Sequence, residues 1–431
     1  MRSSELISML VDSRKRSLEL LADLTDEQLK APLLPIINPP IWEIGHVAWF
    51  QEKWVLRHLQ AKPPTLSQAD SLWDSAAVSH DTRWDLPLLS RAETQSFAQE
   101  VLDRVIETLP PGDVAESEAY FYWLVVMHED MHGEAFTYTR QTLGYPAPVL
   151  SVGVPGVSGC GVPSAASGNV SIPGGNFLLG ATPGEIFVFD NEKWAHKVYV
   201  EPYAIARTPV TNRQFADFVD DGGYRMHQFW SEEGLAWLKR EGAEHPLYWI
   251  RDSGGWLQRH FDRIVPLAEN LPIIHVNWYE AEAYCRWAGC RLPTEAEWEL
   301  AAAAEPASGG ISEFRRRYPW GDDPPTPERA HLDALSIGCL PVAALAAGDS
   351  AFGCRQMIGN VWEWTATDFQ PYPGFVVDPY KEYSQPWFTP AYKVLRGGSW
   401  ATRSRLIRNT WRSFYTKDRR DVFAGFRTCA Q

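Results

Sequence analysis

The sharpest chemical signal in the 431-residue chain is the run Met127-His128-Glu129-Asp130-Met131-His132-Gly133-Glu134. His128 and His132 are four apart, so on a helix both rings leave one face with Cβ atoms about 5–6 Å apart. Two imidazoles at that spacing can grip one divalent cation. Glu134 points to a different face and suits a supporting role, accepting a hydrogen bond from a ligand N–H. A third candidate is His46, set among apolar residues in Trp42-Glu43-Ile44-Gly45-His46-Val47-Ala48-Trp49-Phe50. It closes a three-His face if its helix lies beside the one carrying His128. Three neutral ligands leave the charge of a dication uncompensated and leave coordination positions for substrates. Affinity alone favours zinc or copper, so ligand type does not choose between zinc hydrolysis and iron(II)/oxygen chemistry. The remaining histidines are scattered and read as structural.

The elements that must position these rings are helices. Leu6, Leu10, Ser17, Leu21 and Leu24 approximate a helical stripe, and Thr25-Asp26-Glu27-Gln28 has capping-box spacing. Pro39-Pro40 opens a second segment, Ile41 to Leu59. Ser90 and Glu93 cap a third, Arg91 to Leu109, and Ser117 to Leu143 is the longest, ending at Gly144. Four main helices predict an up-and-down bundle over residues 1–144. From 145 to 171 the chain turns to Gly, Pro, Ser and Val without period, which reads as a linker. From 172 to 431 short strands, many Gly turns and a few helices predict an α+β domain. The helical signals there are Thr211 to Val219, Trp278 to Trp287 and a helix capped by Thr294.

Composition narrows the partners. Forty Lys plus Arg against 54 Asp plus Glu give a net charge of −14, and no Lys/Arg run stands out. A nucleic-acid groove or an anionic membrane surface is therefore not expected. No apolar stretch approaches the roughly 18 residues of a membrane span. The N-terminus lacks a signal-peptide core, so a cytoplasmic location is expected. Six cysteines without a CxxC pair read as free thiols. The 20 Trp, 16 Tyr and 19 Phe either fill a loop-rich core or wall a cation- or ring-binding pocket.

Beyond residue 172 stand Val210-Thr211-Asn212, Arg291-Leu292-Pro293-Thr294-Glu295-Ala296-Glu297-Trp298-Glu299, Tyr318-Pro319-Trp320-Gly321, Gly359-Asn360-Val361-Trp362-Glu363-Trp364, Arg396-Gly397-Gly398-Ser399-Trp400 and Gly425-Phe426-Arg427. Their order and spacing resemble the formylglycine-generating-enzyme (sulfatase-modifying factor) fold, a C-type-lectin-like α+β domain. Formylglycine chemistry needs a cysteine pair soon after the Arg-Gly-Gly-Ser segment, and Ala401 to Thr428 contains no cysteine. The first half resembles a DinB-like four-helix bundle. A DinB-like bundle followed by this domain resembles the ergothioneine synthases (EgtB), OvoA and the selenoneine synthases (SenA). That resemblance implies a non-haem Fe(II) enzyme using O2 to join sulfur or selenium to the imidazole C2 of hercynine, the trimethylated betaine of histidine.

By the same resemblance His46, His128 and His132 are the iron ligands and Glu134 supports them. Tyr380 stands where the family's C-terminal domain supplies a proton- or electron-donating Tyr to the iron site. Met131 replaces a hercynine-contacting Gln, and Arg83 stands where relatives place donor-binding arginines. Relatives using γ-glutamylcysteine typically carry Arg-Asn-Trp-Asp, with the Asp on the donor's ammonium; here Ser413, Phe414 and Tyr415 follow Arg412, with Arg419 nearby. The missing carboxylate forfeits a charge-assisted bond of about 1.5–3 kcal/mol. A selenosugar donor is therefore expected, with γ-glutamylcysteine or cysteine as the alternative. A DinB-type metal-dependent thiol transferase and a catalytically silent binding module are the competing readings.

Overall fold

Leu6, Leu10, Leu20 and Leu21 recur along α1 (Ser3–Leu21), and all are buried in the computed structural model, which describes residues 1–151 and 167–431. The chain divides into two compact units, 1–151 and 152–431.

In the first unit α1 packs along α6 (Glu116–Leu143), while α3 (Pro40–Gln51) packs against α5 (Arg91–Glu107) and α6. Two short helices, α2 (Asp26–Lys30) and α4 (Ala69–Trp73), lie in the connections and both touch α3. The four long rods are those expected from periodicity. The second runs past Gln51 as a π-helical stretch, Glu52–Leu59, so its hydrogen bonds widen while the rod continues.

Local chemistry sets the ends. Thr25 and Gln28, and Ser90 and Glu93, close reciprocal capping boxes. Gly144 stops α6 in the left-handed conformation, φ 66°. The guanidinium of Arg91 donates to the carbonyls of Leu21, Ala22 and Leu24 at 2.7–3.1 Å, tying down the chain where α1 ends. Beyond α6 the chain folds back: Arg140 donates to Pro146 O at 2.6 and 2.9 Å, and Tyr145 and Leu150 pack on the cluster of Leu20, Leu21, Leu24, Ile44 and Phe136. The start of the segment read as a linker thus lies on the bundle. Its residues 152–166, Cys160 included, are outside the described residues.

The bundle interior also holds charge. Arg14 of α1 meets Glu129 of α6 at 2.7 Å, and Gln51 of α3 donates to the same carboxylate at 2.8 Å and accepts from Arg14 at 3.0 Å. Three rods are thereby keyed at the residue next to His128.

The second unit is α+β. Its helices α7 (Asn212–Asp220), α9 (Trp278–Trp287) and α10 (Glu295–Ala303) each start at a capping box, on Thr211, Asn277 and Thr294; α8 is Glu232–Glu241. One four-stranded sheet runs in the order Ser413–Thr416, Tyr392–Arg396, Trp362–Asp368, Ala424–Gly425, antiparallel except for the last pair. A second orders Asn169–Ile172, Tyr203–Ala206, Cys429–Ala430 and Cys290–Arg291. Two hairpins and a three-stranded meander, Trp249–Pro266, complete the strands seen among the described residues. Buried ion pairs join the motifs. Arg412 and Arg396 meet Glu295 at 2.6 and 3.1 Å, and Arg427 meets Glu363 at 2.6 Å. Gly397, at φ 95°, is required because a Cβ there would lie 2.5 Å from Met357 O. Among the described residues no helix is long and apolar enough to cross a membrane.

Candidate metal centre

His46 is held by its own helix and by α4. Its ring stacks on Trp42 one turn earlier, at 4.9 Å and 9°, and on Trp49 one turn later, at 5.6 Å. Its Nδ1 lies 2.8 Å from Trp73 O. A carbonyl only accepts, so Nδ1 carries the proton and the Nε2 lone pair faces away from that bond. The approach of Trp73 depends on Gly45, where a Cβ would stand 2.2 Å from Trp73 Nε1.

On α6, His128 stacks face to face on Phe50 at 3.6 Å and 4°. His132 Nδ1 donates to Glu43 Oε1 at 2.5 Å, from the neighbouring α3. The Nε2 atoms of His128 and His132 are 3.3 Å apart. One ligand atom from each of His46, His128 and His132 lies within 4.8 Å of the others, and no other group of three or more His, Cys, Asp or Glu among the described residues meets that test. Metal–nitrogen bonds of about 2.0–2.1 Å put neighbouring ligands on one ion roughly 3 Å apart, the separation seen for His128 and His132. Burial drives the pKa of His46 and of His128 well below the ordinary imidazole range, and the neighbouring His132 adds to it. Both rings are therefore neutral at pH 7, the state a metal ligand requires.

Glu43 is the residue that sequence reasoning missed. It is 1% exposed in a largely apolar helix, and an acid in that setting three residues before His46 was the available signal. It fixes the tautomer of His132 as carboxylates behind metal-bound imidazoles do. Glu43→Gln is expected to weaken divalent-metal binding by about 10–100-fold, read by chelator competition. Unchanged affinity would deny Glu43 that part. Glu134 is buried on α6, and Met131 is half-buried just before His132.

Arg83 is 9% exposed and lies with its guanidinium 4.0 Å from the centre of the Trp42 ring, donating to Asn38 Oδ1 at 2.5 Å. The ring beneath it is the one that stacks on His46. Arg83 also lines a cleft of about 600 Å³ with Lys30, Ile41, Trp84 and Arg91.

The other candidates belong to the second unit. Ser413, Phe414 and Tyr415 sit on the edge strand Ser413–Thr416, where Phe414 pairs with Val394 and Tyr415 with Lys393. Strand alternation sends Phe414 and Tyr415 to opposite faces. Phe414 stacks on Phe369 at 4.0 Å and 14° and approaches Tyr383 and Tyr392 at 6.3 and 6.0 Å. Arg419 lies over the Tyr415 ring at 5.0 Å and pairs with both oxygens of Asp421 at 2.6 Å. Tyr380 is half-buried, its ring 6.2 Å from that of Tyr383. Tyr383 therefore neighbours both Tyr380 and Phe414.

Comparison with known proteins matches the two units separately and together. Residues 9–136 fit the model of the DinB superfamily, and residues 161–431 that of the sulfatase-modifying factor enzyme 1-like domain. The chain is 38% identical over 433 residues to a protein named hercynine oxygenase from Mycolicibacterium thermoresistibile, covering 98% of this chain and 94% of that one. It is 38% identical over 429 residues to the protein of the same name from Mycobacterium tuberculosis, covering 98% of each. A formylglycine-generating enzyme of Streptomyces coelicolor is 34% identical over 294 residues, 62% of this chain and 90% of that one.

Proposed function

The chain belongs to the hercynine oxygenase family, and from that premise we propose that it is a non-haem Fe(II)- and O2-dependent oxidoreductase. It forms a carbon–selenium or carbon–sulfur bond at the imidazole C2 of hercynine, with a selenosugar as its preferred donor. The observation that carries this reading is the convergence of His46, His128 and His132 from two adjacent helices. A donor set of three imidazoles, two of them buried and neutral, fits Fe(II), which when bound would supply redox electrons and vacant coordination positions for O2 and a soft chalcogen donor.

The chain's own residues supply orientation and protons. The Trp73 carbonyl and the Glu43 carboxylate keep the protons of His46 and His132 on Nδ1, so that Nε2 is the ligand atom. Tyr380 serves as proton or electron donor. Phe414, backed by Phe369, offers an aromatic face of the kind that binds a trimethylammonium group. Met131 contacts hercynine, Glu134 supports the ligands, and Arg83, Ser413, Tyr415 and Arg419 meet the donor. The donor assignment rests on charge: Tyr415 is neutral, and the nearby Asp421 is already paired with Arg419. Neither offers a carboxylate to an ammonium, whereas a hydroxyl suits a polyol.

The test is anaerobic Fe(II) loading, then hercynine, O2 and a panel of donors, with products weighed by mass spectrometry. Selenosugar is expected to outcompete γ-glutamylcysteine and cysteine. The reverse order would make the protein an ergothioneine-type sulfoxide synthase, and product under argon would make it a metal-dependent thiol transferase. Tyr415→Asp is expected to improve use of an amino-bearing thiol by roughly 10-fold or more, one charge-assisted bond's worth. No change would remove the charge argument.

A further inference from the structure

Tyr380 stands in a stretch with little regular structure of its own, broken only by the 3-10 turns Lys381–Tyr383 and Gln385–Trp387. Val376, Val377 and Trp387 around it are exposed, so these apolar side chains do not fix it. What does is a short turn far earlier in the chain, Asp190–Glu192. Ser384 Oγ donates to Asp190 Oδ1 at 2.5 Å, and the backbone N–H of Asp378 points to Asp190 Oδ2 at 3.5 Å. One carboxylate therefore ties down the chain on both sides of Tyr380. Lys193 Nζ holds the Asp378 side chain at 2.7 and 2.8 Å, and Tyr383 stacks on Phe189 at 4.1 Å and 18°.

The same turn also fixes the approach to the Phe414 strand. Arg412 donates to Asn191 O at 2.6 Å, while Arg408 and Thr410 both donate to Glu192, Thr410 at 2.8 Å. The two candidate substrate segments of this unit are thus set against one reference point.

Asp190 is 1% exposed, and among the described residues no Lys, Arg or His pairs with it. Burial, with the Asp378 carboxylate adding to it, pushes its carboxyl up to about 6. A buried unpaired acid costs stability that an amide would not. Its compensation is to accept two donors from the one stretch that carries Tyr380. We propose that Asp190 and Ser384 are positioning residues that pin residues 378–384 and so set where the Tyr380 side chain stands. The catalytic consequence rests on the reading that Tyr380 takes part in the reaction; the pin itself does not.

Lys381 is exposed inside the pinned stretch and gives a direct readout. In the intact protein at pH 8, trypsin is expected to cleave after Lys381 about tenfold faster in Asp190→Asn and in Ser384→Ala than in the wild type. The thermal midpoint of Asp190→Asn is expected to stay level or rise, because a buried charge has gone. In both variants kcat falls about tenfold with KM for hercynine unchanged. Cleavage at the wild-type rate in both variants overturns the pin. Faster cleavage with unchanged kcat upholds the pin and instead defeats the role given to Tyr380.

Discussion

His128→Ala is expected to fold and to lose more than about a hundredfold in kcat/KM for hercynine. Loss of a partner behind a metal ligand costs about 10–100-fold, so loss of the ligand itself lies beyond that range. His128 stands between Phe50, stacked on it at 3.6 Å, and His132, whose Nε2 is 3.3 Å from its own. Truncation removes one corner of the three-imidazole set and leaves two nitrogens from different helices to share an ion. The ring is neutral and buried, so its loss leaves a cavity rather than an unpaired charge. The stability cost is correspondingly modest, about 1–3 kcal/mol. A thermal melt close to the wild type, together with the collapse in turnover, is the expected pair of results. Activity above about a tenth of the wild type would remove His128 from the site.

Arg14→Ala carries the second large effect, and it falls on the fold. The Arg14 and Glu129 side chains are 2% and 0% exposed, and Gln51 is their shared partner. Removing the guanidinium leaves a carboxylate in the bundle with an amide for company, a loss of about 3–5 kcal/mol in urea unfolding. Adding Glu129→Gln should recover much of that, because the stranded charge goes with it. The pair is worth less than the penalty for breaking it, and the double variant separates the two. A single-variant loss below about 1 kcal/mol would mean that water or a shifted side chain reaches Glu129.

Much of the bundle was legible because its signals are local. A leucine stripe, two capping boxes and a terminal glycine each lie within a few residues of one another. The His128–His132 pair was legible for the same reason, since helical spacing alone brings the rings together. The partners that orient the rings were not. Glu43 meets His132 across 89 residues and Trp73 meets His46 across 27, and no periodicity connects them. The helix carrying Trp73 is only five residues long and sits in a stretch without pattern. In the second unit, the helix start at Thr294 was readable from its cap, and that near Thr211 from its helical pattern. The Glu295–Arg396–Arg412 cluster spans 101 and 117 residues, and no local pattern connects its members. Asp190 lay in a turn that no motif marks.

The account depends above all on His46, the one ring that arrives from a different helix. Fe(II) titration under argon of the wild type and of His46→Ala tests this directly. One ion per chain in the wild type, and none held by the variant at the same concentrations, is the result expected. Equal stoichiometry and affinity in the two proteins would contradict the centre described above.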